Sequence, residues 1–95
     1  MANDKETYAL IYSRLAIQEL SRLDTFWQGE MLAAIEGKLL VTPEIFGKPL
    51  RRSLAGCRTL RVGDYRVVFK IEKRTIKILA VLHRSKDYKG IDKRI

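Results

Sequence analysis

Arg58-Thr-Leu-Arg-Val-Gly-Asp-Tyr-Arg-Val-Val-Phe-Lys-Ile-Glu72 is the stretch that decides the fold. Two runs rich in β-branched and aromatic residues flank Gly63-Asp64. Gly followed by Asp between such runs signals a two-residue hairpin, with Gly supplying the positive φ of a type II′ turn. The turn sets a register: Val62 opposite Tyr65, Arg61 opposite Arg66, Leu60 opposite Val67 and Thr59 opposite Val68. Side chains alternate across a strand. Leu60, Val62, Tyr65, Val67, Phe69 and Ile71 therefore share a core face, and Thr59, Arg61, Arg66, Val68 and Lys70 share the other. Arg61 and Arg66 stand directly opposite each other. Like charges so placed destabilise a sheet, yet two guanidinium forks side by side make a receptor for phosphate. The plainer alternative is the solvated face of a basic protein.

Downstream, Glu72-Lys-Arg-Thr75 is a polar turn, and Thr75 to His83 reads as the last strand. Unbroken alternation puts Ile76, Ile78, Ala80 and Leu82 on the core face and Lys77, Leu79, Val81 and His83 on the arginine face. That brings His83 to the end of the sheet that carries Arg61 and Arg66, provided no bulge intervenes. The tail that follows is short and basic, with Arg84, Lys86, Tyr88 and Lys89.

Upstream, Met1 to Glu6 is a polar, frayed start, and Thr7 to Tyr12 is a β-prone run expected to form a first strand. Ser13 suits an N-cap. Ala16, Leu20 and Leu23 then recur at helical spacing, with Ile17 beside them. Thr25-Phe-Trp-Gln28 fits a capping box with Thr25 at the N-cap, opening a second helix through Met31, Leu32, Ile35 and Leu39, with Gly37 inside it. Pro43 ends that helix by Val41 or Thr42. Ser13 to Leu40 thus reads as a helical hairpin. Trp27 fits core packing or a recognition aromatic, core packing being the commoner use. Val41 to Ser53 is a connector with Pro43, Gly47 and Pro49, anchored by Leu50, exposing Lys48, Arg51 and Arg52. The expected fold is α+β: a short N-terminal strand and a helical hairpin packed on a mainly antiparallel four-stranded sheet.

Composition narrows the function. The 95 residues suffice for one small domain spanning 1–95. No apolar run approaches the roughly 18 residues of a membrane-spanning helix, and Met1-Ala-Asn-Asp-Lys-Glu has no apolar leader; a cytoplasmic protein without a membrane partner is expected. One cysteine, Cys57, excludes an internal disulfide and a cysteine zinc cluster, and reads as a small buried residue rather than a nucleophile. No Walker loop, dinucleotide-binding glycine pattern or metal-ligand spacing is present, so neither metal nor cofactor is expected. Nineteen Lys and Arg against eleven Asp and Glu give a net charge of +8. Most of the basic residues lie from Lys48 onward, which suits a polyanionic partner.

Arg61-Val-Gly-Asp-Tyr-Arg66, an apolar strand, a turn, Ile76-Lys-Ile-Leu-Ala-Val-Leu82, and His83-Arg84 four residues before Tyr88-Lys89 together resemble the RelE/ParE superfamily of toxin–antitoxin toxins. The element order matches too, and the resemblance covers nearly the whole chain. It implies a toxin held in a heteromeric complex with a cognate antitoxin. In the RelE branch it implies ribosome-dependent cleavage of mRNA; in the ParE branch, inhibition of DNA gyrase; a binding-only descendant is a third option. Arg61, Arg66, Arg84 and Tyr88 match the hairpin basics and the C-terminal Arg and Tyr of the RelE branch. Thr59 departs from it, since many relatives carry a basic residue there. On this resemblance Arg61 and Arg66 clamp the scissile phosphate, Arg84 neutralises the leaving oxygen, and Tyr88 or His83 serves as base. Lys48, Arg51, Arg52, Lys70, Lys86 and Lys89 are the candidate RNA-binding cations. Phenols are weak bases at neutral pH and imidazoles better tuned; family resemblance favours the Tyr88 position, where stacking on a nucleobase is a further role.

Overall fold

The hairpin at Gly63-Asp64 forms in the register its turn dictates. In a computed structural model, which describes residues 8–40 and 42–95, β3 (Cys57–Val62) and β4 (Tyr65–Glu72) pair with Val62 opposite Tyr65, Arg61 opposite Arg66 and Thr59 opposite Val68. Gly63 has φ +59, and a Cβ there would run into the indole of Trp27. Glycine is thus required both by the backbone and by packing. The expected polar start at Met1 to Glu6 and the first strand's opening residue, Thr7, lie outside the described residues, as does Val41.

β5 (Thr75–His83) pairs antiparallel with β4, β1 (Ala9–Tyr12) adds parallel to β5, and β2 (Lys48–Pro49) pairs with β3. The sheet therefore has five strands, in the order β1-β5-β4-β3-β2, where four were expected. The fifth, β2, spans only Lys48–Pro49. It is too short to show a period, and proline is tolerated in a sheet only at such an edge.

The helical hairpin is α1 (Arg14–Ser21) and α2 (Thr25–Ala34), the latter running on into a π-helical turn at Ile35–Leu39. Ser13 caps α1 as expected, its Oγ accepting from the Ala16 N–H at 3.0 Å. The second cap is displaced by one residue. Asp24, not Thr25, is the N-cap of α2, its Oδ1 accepting from the Trp27 N–H at 3.0 Å. Asp and Thr are both good caps, so composition alone does not separate them. Gln28 then has no capping-box role. Its amide donates to the carbonyls of Leu20, Ser21 and Leu23 at 3.3, 3.2 and 3.0 Å, satisfying groups that the end of α1 leaves open. The connector is more ordered than its composition implies. It holds α3 (Pro43–Phe46), β2 and a 3₁₀ turn at Arg52–Leu54. Arg58 fastens it, donating from Nη2 to the carbonyls of Glu44 and Gly47 at 2.7 Å each.

Two cores fill the two faces of the sheet. Under the helices, Ala16, Met31, Ile35 and Leu39 close on Leu60, Val67, Phe69, Ile76, Ile78 and Val81. On the other face, Leu54, Cys57, Val68, Leu79, Ala80 and Ile91 form a smaller core, with Leu50, Leu82 and Tyr88 packed against it. Ile91 comes from a C-terminal 3₁₀ turn, Ile91–Arg94. A bulge changes the membership of the second core. Val68 pairs with Ala80 but Phe69 pairs with Ile78, leaving Leu79 as the extra residue of a bulge. Past the bulge the faces exchange. Val81 joins the helix-side core, while Ala80 and Leu82 turn to the arginine side, the reverse of the assignment from unbroken alternation. Among the described residues no helix is long and apolar enough to cross a membrane.

Phe69 is fully buried, whereas Thr59 carries a buried Oγ1 without a hydrogen-bond partner among the described residues. Urea unfolding should show Phe69→Ala losing about 3–5 kcal/mol. Thr59→Val should be neutral or stabilising, because it removes an orphaned hydroxyl of similar shape.

Candidate active site

The hairpin sets Arg61 and Arg66 opposite each other beside the turn. Arg61 is exposed, and its Nε donates to the Gly63 carbonyl at 3.3 Å. Arg66 is half-buried. Its Nη1 lies 3.4 Å from the Tyr88 hydroxyl and its guanidinium carbon 5.8 Å from the Tyr88 ring centroid, a long hydrogen bond reinforced by a cation–π contact. Neither arginine meets a carboxylate within ion-pair distance among the described residues. Tyr88 is held from behind by the second core, and its carbonyl accepts from the Ile91 N–H at 3.0 Å.

Arg61 and Arg66 line two adjoining hollows. One, of about 380 Å³, also takes in His83, Arg84 and Ser85. The other, of about 370 Å³, takes in Tyr88, Leu50, Thr59 and Lys48. The two open toward β5 and toward β2, with the arginine pair common to both. The expected set Arg61, Arg66, His83, Arg84 and Tyr88 is thus brought together.

His83 arrives by a different route from the one expected. The bulge returns it to the side of Tyr65, its partner in the ladder, and the two rings meet edge to face at 5.2 Å. It reaches the hollow from the sheet's end. Its Nδ1 accepts from the Ser85 N–H at 3.1 Å and lies 2.8 Å from the Ser85 Oγ. A backbone N–H only donates, so Nδ1 is the acceptor and the proton of the neutral ring sits on Nε2. Ser85 gave no signal in the sequence. Arg84 is fixed through its backbone, whose N–H donates to the Asp64 carbonyl at 2.7 Å, while its side chain, 57% exposed, makes a long 3.7 Å pair with Asp64.

These elements match known proteins. A family model described as the ParE toxin of the type II toxin–antitoxin system parDE matches residues 10–88. Toxin RelE of Mycobacterium tuberculosis is 33% identical over 89 residues, covering 92% of each chain. Toxin RelG of the same organism is 34% identical over 84 residues, covering 86% of this chain and 97% of its own. This chain belongs to the RelE/ParE family of type II toxin–antitoxin toxins. The RelBE2 toxin–antitoxin complex of M. tuberculosis contains a chain that superposes with TM-score 0.77 at 34% identity, over 82% of this chain and 99% of that one. A mutant of E. coli toxin RelE in the free state has the same fold, with TM-score 0.69 at 19% identity over 93% of each chain.

Against the RelE/ParE pattern, the departure at Thr59 has a structural counterpart. Lys48 of β2 is the ladder partner of Thr59 and lines the same hollow, so a cation stands next to position 59. Lys70 lies at the other end of the hairpin, paired with Glu72 at 3.0 Å, and Lys77 holds the same carboxylate at 2.7 Å. The two ammonium groups keep the Glu72 carboxyl below the usual range. Lys70 lines neither hollow, and neither do the exposed Arg51, Arg52, Lys86 and Lys89. Trp27 is half-buried and packs edge to face on Tyr65 at 5.1 Å and against Gly63, a packing role beside the helix-side core and not within it. Cys57 is 1% exposed, and burial pushes its thiol up, the opposite of what a nucleophile needs.

Two outcomes follow for this toxin. Arg66→Ala should melt at the same temperature as the parent or slightly higher, because it removes one of two opposed cations. Cys57 should resist a water-soluble thiol reagent in the native state at pH 8 and react promptly in urea.

Proposed function

We propose that this toxin is a ribosome-dependent endoribonuclease that cleaves mRNA by attack of the ribose 2′-OH on the adjacent phosphate. The observation that carries the reading is the opposed pair Arg61–Arg66, free of carboxylate partners among the described residues, with Tyr88 set against Arg66 and a hollow on each side. In-line displacement needs a phosphate clamp, a base on one side and a proton donor on the other. Arg61 and Arg66 clamp the phosphate and stabilise the charge that builds on its oxygens. Tyr88, facing the hollow toward β2, acts as its phenolate and becomes the phenol by taking the 2′-OH proton as the new O–P bond forms. On the β5 side the P–O5′ bond breaks, and the leaving oxygen faces Arg84 and the imidazole of His83. With Nδ1 accepting from Ser85, the Nε2–H of His83 is free to hydrogen-bond the charge on the leaving oxygen, which takes its proton from solvent. The chemistry requires no metal. The ribosome holds the messenger in place, so the toxin need supply only part of the reacting set.

A cognate antitoxin keeps the toxin silent in this reading, as the relatives seen in toxin–antitoxin complexes suggest. The second reading, a gyrase inhibitor, draws on the ParE description of the matching family model. Relatives at 33–34% identity named RelE and RelG favour the first.

Single-turnover cleavage on programmed ribosomes tests the reading. Arg66→Ala should lose on the order of 10²–10³-fold, the scale of one preorganised donor, and Arg66→Lys should recover only part, since a point charge cannot replace a bidentate fork. In cells, induction without antitoxin should produce new mRNA 5′ ends. A DNA-damage response with intact messages would replace the ribonuclease reading with the gyrase one.

A further inference from the structure

The bulge in β5 leaves backbone groups that α1 and the C-terminus take up together. Glu19 of α1 accepts from the Val81 N–H through Oε1 at 2.9 Å. The same carboxylate receives Arg94 bidentately, Nη1 to Oε1 at 3.0 Å and Nη2 to Oε2 at 2.8 Å. Arg94 Nη1 also donates to the Leu79 carbonyl at 2.9 Å, an oxygen that accepts from Ser13 Oγ at 3.2 Å as well. Both charged side chains are only 19% exposed. They join the helix layer to the segment on the opposite face.

Tyr88 lies within that segment, between His83, fixed in β5, and Arg94. The Ile91–Arg94 turn is what backs it: Ile91 is 2% exposed in the second core, and its N–H holds the Tyr88 carbonyl at 3.0 Å. Without Arg94 the turn keeps one apolar anchor and loses its polar one. We propose that Glu19 and Arg94 are positioning residues for Tyr88, holding its hydroxyl beside Arg66 from the far end of the chain. The role rests on Tyr88 being part of the active site. A bidentate pair fixes direction as well as distance, and small displacements of a reacting group cost large factors in rate.

The test uses full-length protein with ¹³C-labelled tyrosine rings, in Arg94→Ala, Arg94→Lys and Glu19→Gln. In Arg94→Ala the Tyr88 ring signal should move and the Ile91 amide should exchange faster with solvent, while the Tyr12 and Tyr65 ring signals stay in place. On programmed ribosomes kcat should fall on the order of ten- to a hundredfold with KM little changed. Arg94→Lys should fall between parent and Arg94→Ala. In a Tyr88→Phe background Arg94→Ala should cost nothing further. Should Arg94→Ala fail to fold, Glu19→Gln, which keeps an acceptor for Val81, carries the same expectations. An unmoved Tyr88 signal with unchanged Ile91 exchange overturns the role, and so does an equal loss of rate in the Phe background. If the parent leaves messages intact while the tyrosine signal still responds to Arg94, the ribonuclease assignment falls and the positioning stands.

Discussion

At Leu79 the β5 strand carries one residue more than β4 can match, and much of the architecture turns on it. A strand of unbroken alternation would present one row of apolar side chains to the helices and a second row, including Val81 and His83, to the arginine face. The bulge instead sets Leu79 and Ala80 on the same side. There they give the C-terminal segment something to pack on, and past it Val81 returns to the helices. The loosened backbone at Leu79 and Val81 is taken up by Glu19, Ser13 and Arg94. The bulge thus exchanges Val81 for Ala80 and Leu82 on the face that the C-terminal segment covers.

The second core is what makes the cationic face usable. Arg61 and Arg66 repel each other across the ladder, and no carboxylate among the described residues balances them. Their geometry is imposed by neighbours: the Gly63 turn, the Trp27 indole over it, and the Tyr88 ring beside Arg66. Because the surroundings impose the arrangement, the charge is available to a ligand without first breaking an ion pair.

What could be read in the sequence follows from which signals are local. The Gly63-Asp64 turn fixes its own register, so the pairing of Arg61 with Arg66 and the burial of Phe69 were legible. Ser13 was legible as a cap because one candidate stood at that boundary; Asp24 and Thr25 stood together at the next, and the cap went to the earlier of them. The run Ile78-Leu-Ala-Val-Leu82 is apolar at every position, so nothing in it shows where a bulge falls, and the parity of His83 depended on that. Neighbours remote in sequence left no local trace, as with Glu19 and Arg94, or Lys48 and Thr59. Tyr88 emerged through resemblance, not through periodicity.

The opposed arginines also bear on how such a gene decays. A toxin whose antitoxin is lost places its host under immediate selection for any substitution that silences it. Most silencing changes in a small domain act by unfolding, and they leave aggregates or fragments behind. If Arg61 and Arg66 clamp the phosphate as proposed, replacement of either cation silences the toxin while relieving a repulsion, so silenced alleles can persist as well-folded proteins. Lineages of this family should therefore accumulate intact, inert copies, identifiable by a neutral residue in the hairpin within an otherwise unaltered core.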